Sequence, residues 1–509
     1  MFSIALSLLL ASQVQAMESR TQLEESGWKT LTSYQQMMDY LQPLVASSTK
    51  VSMVPMGTSV SGRVIPALYF SNDPVFASQR ANKPLVMISC QQHGDEPSGK
   101  EAALIVARKL LNENSGLLEN LDLILVPQVN PDGSELGTRR NANAMDLNRN
   151  HVILSEPESL ALHQLFLKWL PEVTLDVHEY NAIKDPWIEA GFTKDADEML
   201  GGVTNLNIDP HIIRFSRESF IPDMGKGVAA DGFRFHRYIV GDPFEAGVVR
   251  FSTTAINDSR QSMGMYNSLS FIIEGKRYAN TTNELEKRTR GQVSAMLNFL
   301  QTSNQHAADM LAIVKQARAT MEDMDQSHIQ MEYYADANHP VLNFPVFDLK
   351  SWERTNRDLE NFKPLVKIRK SVYKPAAYAF PATEMRLIEL LKRHQIPFQT
   401  LQLDDDFKTE TYRVQHIVEA IDEEKPTYLV DVHKIARQET LQSGMIIVPV
   451  SGLAANLIPL LLEPESTWGI VSPRATGKYR FADYLVEGQD YPVKRLPPQD
   501  KLNLEKLAE

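Results

Sequence analysis

The chain has 509 residues, of which 43% are hydrophobic and 23% charged, and it carries a formal net charge of -12. The length exceeds what one hydrophobic core usually serves, so two domains are expected, and the composition is that of an ordinary globular protein. The acidic balance argues against a phosphate-backbone partner and removes nucleic acid from the substrate classes.

In chain order, the first feature is "MFSIALSLLLASQVQA", with an apolar segment over residues 4–11 and small residues around Val14-Gln15-Ala16. Residues 1–16 are therefore expected to be a cleaved signal peptide and the mature protein to be exported, to the periplasm or as a secreted protein. Cys90 is the only cysteine, so no internal disulfide can form, and a periplasm suits the chain better than a disulfide-rich extracellular space. A helix over 28–45 and a pair of strands over 51–70, turning at Ser61-Gly62, come next. Four apolar runs, 85–90, 121–126, 173–178 and 269–274, read as strands. Helical stripes lie among them: Ala103, Leu104, Ala107 and Leu111 share one, and Leu162, Leu165, Phe166 and Trp169 another. Strands alternating with helices predict an α/β fold with three α/β/α layers, in which helices cover both faces of a mainly parallel mixed sheet.

An amphipathic region over 284–324 closes this unit, so the first domain is expected to span 17–325, with the polar stretch 326–340 as a linker. Residues 341–509 are expected to form a smaller α/β or β-rich accessory domain, with strand, helix and strand at 376–380, 384–394 and 398–401. The stretch 445–462 carries no charge, but Pro449, Ser451, Gly452, Asn456 and Pro459 interrupt it. It reads as core, and no transmembrane span is expected in the mature chain.

The run 85–90 ends abruptly in His93-Gly94-Asp95-Glu96, followed by Pro97, a residue that commonly starts a helix. In an open α/β sheet such a strand end is where ligands bind. His178 ends a second strand, "EVTLDVHEY", in which Thr174, Asp176 and His178 alternate with Val173, Leu175 and Val177. Two imidazoles and one carboxylate make a three-ligand zinc set whose fourth position stays open for water, the arrangement of a catalytic site. Cys90 reads as a packed strand residue beside it. "DVHK" at 431–434 echoes "DVHE" at 176–179, but it has no His-x-x-Glu partner nearby and reads as a decoy.

Between the two histidines stand "VNPDG" at 129–133 and "RRNANAMDLNRN" at 139–150. With His93-x-x-Glu96, His178 and the strand-terminal Glu274 of "SLSFIIEGK", this ordered set resembles the zinc carboxypeptidase family, the funnelins, over roughly residues 28–300. The resemblance implies that His93, Glu96 and His178 hold one Zn2+ and that Asp146 fixes the tautomer of His93. It implies that Asn148 and Arg149 receive the free C-terminal carboxylate of a peptide substrate. Arg139, with Arg140 as the neighbouring alternative, would stabilise the oxyanion. Glu274 would act as general base toward metal-bound water and then protonate the leaving amine. Tyr266 is the nearest upstream candidate for the family's mobile substrate-binding tyrosine. The activity implied is that of a zinc metallocarboxypeptidase, with cell-wall peptides among its substrate classes. Two other functions compete with it: a deacylase or amidohydrolase of N-acyl amino acids, and an inactive protein that binds peptide ends. Oligomeric state and preferred C-terminal residue are not encoded in any motif.

Overall fold

In the computed structural model of the chain, the described residues are 19–80, 82–243, 247–422, 425–472 and 481–498. The expected signal peptide at 1–16 lies outside them. The first strands in chain order are β1 (Val51–Thr58), β2 (Val64–Phe70), β3 (Leu85–Cys90), β4 (Asp122–Val126), β5 (Val173–Asn181), β6 (Phe192–Lys194), β7 (Glu198–Gly202), β8 (Phe235–Arg237) and β9 (Leu269–Arg277). All but β6 join one sheet in the order β1-β2-β4-β3-β5-β9-β7-β8. The pairs β3-β4, β3-β5, β5-β9 and β7-β8 are parallel, whereas β1-β2, β2-β4 and β7-β9 are antiparallel. This is the mixed α/β sheet expected, with the parallel strands at its centre. Every residue of β3 and β4 is buried, as a strand covered on both faces requires.

The period-2 alternation of β5 assigns the layers. Val177 touches Gly99 of the helix Ser98–Leu111, while the preceding Asp176 meets Ser259 of the short helix Ser259–Gly264. The helix Leu285–Gln305 lies against Ser98–Leu111 on the Val177 side. The helix Pro157–Trp169 lies on the Asp176 side, where His163 reaches Ser262 at 3.3 Å. His178 shares a face with Asp176, so the second candidate ligand points away from the Ser98–Leu111 layer.

The opening helix starts later than the sequence pattern implied. It runs Tyr34–Ala46 because Ser33 forms a capping box with Gln36, and a reciprocal cap of this kind fixes a helix start more strongly than apolar spacing does. The amphipathic region 284–324 divides into Leu285–Gln305 and Ala307–Ala319 at His306.

The expected linker needs a larger correction. Much of it is β10 (Gln326–Tyr334). The later strands are β11 (Leu342–Asp348), β12 (Glu353–Leu359), β13 (Leu365–Tyr373), β14 (Ala377–Phe380), β15 (Gln399–Thr400), β16 (Asp405–Asp422), β17 (Lys425–Leu441), β18 (Ile446–Pro449) and β19 (Lys494–Leu496). β10 pairs with β13 in a two-stranded ribbon, and β11 pairs with β6 of the first part. Most β10 residues are only half-buried or exposed, so the strand needs no continuous apolar run and its sequence passes for a polar linker. Farther on, the β-rich part holds an antiparallel six-stranded sheet, β15-β18-β14-β19-β16-β17. The uncharged stretch 445–462 forms β18 and the buried helix Leu457–Leu462. Among the described residues no helix is long and apolar enough to cross a membrane.

The two parts do not keep separate interiors. One contiguous cluster of buried apolar side chains runs from Met37, Leu68 and Phe271 through to Tyr378, Leu390 and Val493. Side chains cross the junction as well: His394 Nε2 donates to the Val152 carbonyl at 2.8 Å and Asn456 Nδ2 to the Asn207 carbonyl at 2.9 Å.

Candidate metal centre and active site

His93 and Glu96 stand on the turn that leaves β3. Gln91 takes φ 58° there, a left-handed conformation that costs a non-glycine residue of order 1 kcal/mol. Its side chain holds the turn, donating to the Gly94 carbonyl and to Ser134 Oγ, each at 3.0 Å. The "NPDG" segment is the clamp on the other side. Asn130 accepts from its own Gly133 amide at 2.8 Å and donates to the Gln92 carbonyl at 3.1 Å. The two turns touch so closely that a Cβ on Gly94 would lie 2.0 Å from the Gly133 carbonyl carbon. The motif therefore belongs with the site because it shapes the turn that aims the first two ligands.

The three ligand candidates converge. His93 Nδ1 lies 2.9 Å from Glu96 Oε1, His178 Nδ1 lies 2.9 Å from Glu96 Oε2, and the two Nδ1 atoms are 3.0 Å apart. All three residues are buried, and their ligand atoms lie within 4.8 Å of one another. A tetrahedral zinc with bonds of about 2.0–2.1 Å separates its ligand atoms by roughly 3.3 Å, so the set fits one such ion with small adjustments. The outer ring nitrogens face carboxylates: His93 Nε2 is 3.1 Å from Asp146 Oδ1 and His178 Nε2 is 2.8 Å from Asp176 Oδ2. Each carboxylate holds its ring with Nδ1 turned inward, the usual support of a ligating histidine. Asp95, inside the same tetrapeptide, takes no part and pairs with Arg277 at 3.0 Å.

Asp176 was not singled out as a site residue from sequence, although it shares a strand face with His178 two residues on. It also accepts from Gln92 Nε2 at 2.8 Å and from Ser259 Oγ. Asp146 serves two neighbours, His93 and Arg139, whose Nε donates to its Oδ2 at 2.9 Å. The two adjacent arginines are placed differently. Arg139 Nη1 is 3.1 Å from His93 Nδ1 and 3.3 Å from Glu96 Oε1, whereas the exposed Arg140 donates to the Ala144 carbonyl. Asn148 is buried against the outer edge of His178, with Nδ2 at 3.1 Å from His178 Nε2 and Oδ1 accepting the Ser259 amide at 2.9 Å. Arg149 is half-buried, and its Nη1 donates to the Asn148 carbonyl.

Glu274 is the in-register neighbour of His178 across the parallel β5-β9 pair and is buried at 8% exposure. Its side-chain partner is Tyr238, just beyond β8. Tyr266, the residue expected near the substrate, is instead core. It is 1% exposed and packs edge-on against Phe166 with ring centroids 5.4 Å apart. An aromatic next to a strand that faces helix Pro157–Trp169 has an apolar place to go, and it takes it. Tyr238 lies in a region with no motif, so spacing could not have found it. His433 of the decoy "DVHK" is exposed on β17, opposite Arg413. Cys90 is fully buried at the end of β3.

The electrostatics suit a cation. Burial alone would raise the Glu96 pKa, but the charges and hydrogen bonds of His93 and His178 outweigh it and hold the group well below the usual carboxylate range. Burial lowers the His178 pKa, while Asp176 and Glu96 more than reverse the effect and raise it. A proton and a divalent ion would therefore compete for His178 Nδ1. Burial raises the Glu274 pKa, with His178 opposing and Glu96 adding to the shift.

Residues 37–181 match the family model described as zinc carboxypeptidase. Carboxypeptidase 2 of Trichophyton rubrum is 28% identical over 274 residues, which cover 52% of this chain and 51% of that protein. Carboxypeptidase E of Caenorhabditis elegans is 34% identical over 118 residues, 19% of this chain and 25% of that one. The chain thus spans about half the length, or less, of these curated relatives. Among solved structures, a metallo-carboxypeptidase from Pseudomonas aeruginosa superimposes with a TM-score of 0.42 at 21% identity, covering 55% of this chain and 70% of that one. Carboxypeptidase A of Helicoverpa armigera does so with a TM-score of 0.44 at 20% identity, covering 60% and 82%.

Proposed function

We propose that this chain, whose residues 37–181 carry a zinc carboxypeptidase sequence, is a zinc-dependent metallocarboxypeptidase that hydrolyses the C-terminal peptide bond of peptides. The observation that supports this reading best is the convergence of His93, Glu96 and His178, drawn from two strand ends, with Glu274 in register beside them. The donor set, two imidazole nitrogens and one carboxylate, suits Zn2+. A zinc ion held there would supply Lewis-acid chemistry, lowering the pKa of a coordinated water to about 7 and polarising the scissile carbonyl.

The chain's own residues supply the rest. Glu274 accepts a proton from the attacking water at its carboxylate and delivers it to the leaving amine. Tyr238 donates to that carboxylate and orients it. Arg139, held by Asp146, places its guanidinium beside the ligands, where negative charge develops on the carbonyl oxygen. Arg149 is the cation that would receive the free C-terminal carboxylate, with Asn148 packed behind His178. The export signal belongs to this proposal too: a periplasmic or secreted enzyme with this site would meet cell-wall peptides, which makes them the first natural substrate class to test.

The test uses the purified mature chain loaded with zinc. One ion per chain is expected, together with release of the last residue from peptides with free C-termini and none from their amidated counterparts. Muropeptides and N-acyl amino acids are assayed alongside. Equal cleavage of amidated peptides would exclude exopeptidase action, and turnover confined to N-acyl amino acids would establish the deacylase alternative instead.

A further inference from the structure

A buried arginine next to the catalytic glutamate has more hydrogen-bonding capacity than the protein uses. Arg260 is 1% exposed and among the largest fully buried side chains of the molecule. A guanidinium carries five N–H donors over three nitrogens. Nη2 donates to Asp258 Oδ2 at 2.9 Å, while Nε and Nη1 are buried with no partner. Asp258 is itself shared, because its Oδ1 caps the helix Ser259–Gly264 by accepting the Gln261 amide at 2.7 Å. Leaving a buried charged donor unpaired is costly, and a buried guanidinium whose carboxylate partner is divided has the capacity to take an anion.

Its position fixes what that anion belongs to. A Cβ on Gly201 of β7 would lie 3.2 Å from Arg260 Nη1 and 3.0 Å from Tyr238 Cβ, so the two side chains meet over that glycine. Tyr238 in turn hydrogen-bonds Glu274. Ser259, the residue before Arg260, is bonded to Asp176 and so to the ligand His178. Other basic groups stand close: Arg149 acts, as Arg260 does, on the Tyr238 hydroxyl, and Lys194, buried over the Trp187 ring at 4.8 Å and pushed down to about 7 by that burial, acts on Glu274. The surroundings of Glu274 are therefore rich in basic groups and polar hydrogen, poor neighbours for an apolar or basic side chain.

We propose that Arg260 determines specificity by receiving the side-chain carboxylate of an acidic C-terminal residue, aspartate or glutamate. The inference rests on the carboxypeptidase reading of the site. Arg149, being half-buried, remains the cation for the α-carboxylate, and the fully buried Arg260 takes the second one. A substrate with one carboxylate at its end leaves Nε and Nη1 of Arg260 unpaired; one with two carboxylates satisfies both cations.

The experiment compares kcat/KM on peptides identical except for a final Glu, Gln, Phe or Lys, using the zinc-loaded full chain. Glutamate is expected to exceed glutamine by about tenfold or more, the value of a charge-assisted hydrogen bond pair. Arg260→Gln should bring that ratio close to one, with the glutamate peptide losing more than the glutamine peptide. Calorimetry with zinc-loaded Glu274→Gln should show the same preference in Kd, without turnover. If glutamine equals or exceeds glutamate in the wild-type chain, or if Arg260→Gln weakens all four peptides in proportion, the assignment is overturned. Should Arg260→Gln melt far below the parent, the wild-type ratio and the calorimetric one decide. Cleavage of any free-ended peptide without a glutamate preference removes only the role of Arg260. No cleavage at all, with no preference for free over amidated ends in binding, removes the carboxypeptidase reading beneath it.

Discussion

Replacing His394 by glutamine should flatten the dependence of stability on pH between 4 and 6.5. His151, His163 and His394 form a buried chain at the junction of the two parts, with ring centroids 5.1 and 5.7 Å apart. His151 Nε2 faces Gln92 Oε1 at 3.0 Å and His394 Nε2 faces the Val152 carbonyl at 2.8 Å, so each carries its hydrogen on Nε2. The Nδ1 atoms of all three have no partner, and a proton added there would be a buried charge with no acceptor. Burial accordingly pushes His151 and His394 down from 6.5 to about 4, and His163 falls as well. Above pH 6.5 neither the folded nor the unfolded chain protonates these rings, and they contribute nothing to the pH dependence. Between 6.5 and 4 the unfolded chain binds protons that the folded chain refuses, so stability falls as the pH falls, and the loss levels off below 4. For each of the two histidines the difference converts to about 3 kcal/mol, and together they approach the whole stability of a typical domain, about 5–15 kcal/mol. His394→Gln keeps a donor for the Val152 carbonyl but removes one proton from the balance. The slope of unfolding free energy against pH in that window should drop by about 1.4 kcal/mol per pH unit. Urea unfolding followed by circular dichroism from pH 4.5 to 8, with chelator present to remove the pH dependence of metal binding, measures it. An unchanged slope in the variant would refute the burial argument.

Four further outcomes follow from the site. Glu274→Gln should retain zinc, measured by metal analysis, and lose about 10²- to 10⁴-fold in kcat, the usual contribution of a general base; near-normal turnover would sink the assignment. Asp146→Ala leaves His93 and Arg139 without their shared carboxylate, so zinc affinity in a chelator competition should fall about 10- to 100-fold, and an unchanged affinity would show that the carboxylate is dispensable. Tyr238→Phe removes a hydrogen bond that lowers the Glu274 pKa. Because the base must be ionised to act, the acid limb of kcat/KM should move to higher pH, whereas Tyr266→Phe, a change in the core, should leave the limb where it is. Gly94→Ala puts a methyl 2.0 Å from backbone of the 130–134 turn; no side-chain rotation can relieve that, so a loss of at least about 1–3 kcal/mol in thermal or urea unfolding is expected, accompanied by weaker zinc binding.

Most of the central sheet was legible because its evidence is local. A run such as residues 85–90 is apolar throughout, since both its faces are covered, and the abrupt change to His93 and Glu96 marks the place where the strand leaves the sheet. The convergence of the three ligand candidates has the same local root: a buried imidazole at a strand end needs a partner, and two imidazoles and one carboxylate can share a common one. What failed depends on which segments meet in space. Tyr266 and Tyr238 are the same residue type on motif-free stretches, and only the parallel register of β5 and β9, with β7 beside them, decides which hydroxyl reaches Glu274. The polar stretch 326–340 resembled a linker because a two-stranded ribbon is half-buried and carries no long apolar run. The shared interior of the two parts was equally hidden, for Leu390 and Phe271 look like any core residues until they fall in one cluster.

The region that matches the zinc carboxypeptidase model ends at residue 181, and it contains the three ligand candidates, Asp146, Arg139 and Asp176, but neither Glu274 nor Arg260 nor Tyr238. These reach the metal centre through two physical links. The first is the β5-β9 ladder, which sets Glu274 beside His178. The second is the Asp176 carboxylate, which accepts from His178, Gln92 and Ser259 at once. The same Gln92 accepts from His151, so that member of the buried histidine chain stands two hydrogen bonds from the carboxylate that faces His178. A change that displaces Ser259 would disturb His178 and Arg260 together, since one precedes the other's neighbour in the chain and the other is its hydrogen-bond partner through Asp176. Metal affinity and preference for the last residue should therefore fail in concert in Asp176→Asn, whereas Arg260→Gln should alter preference and leave metal affinity in place.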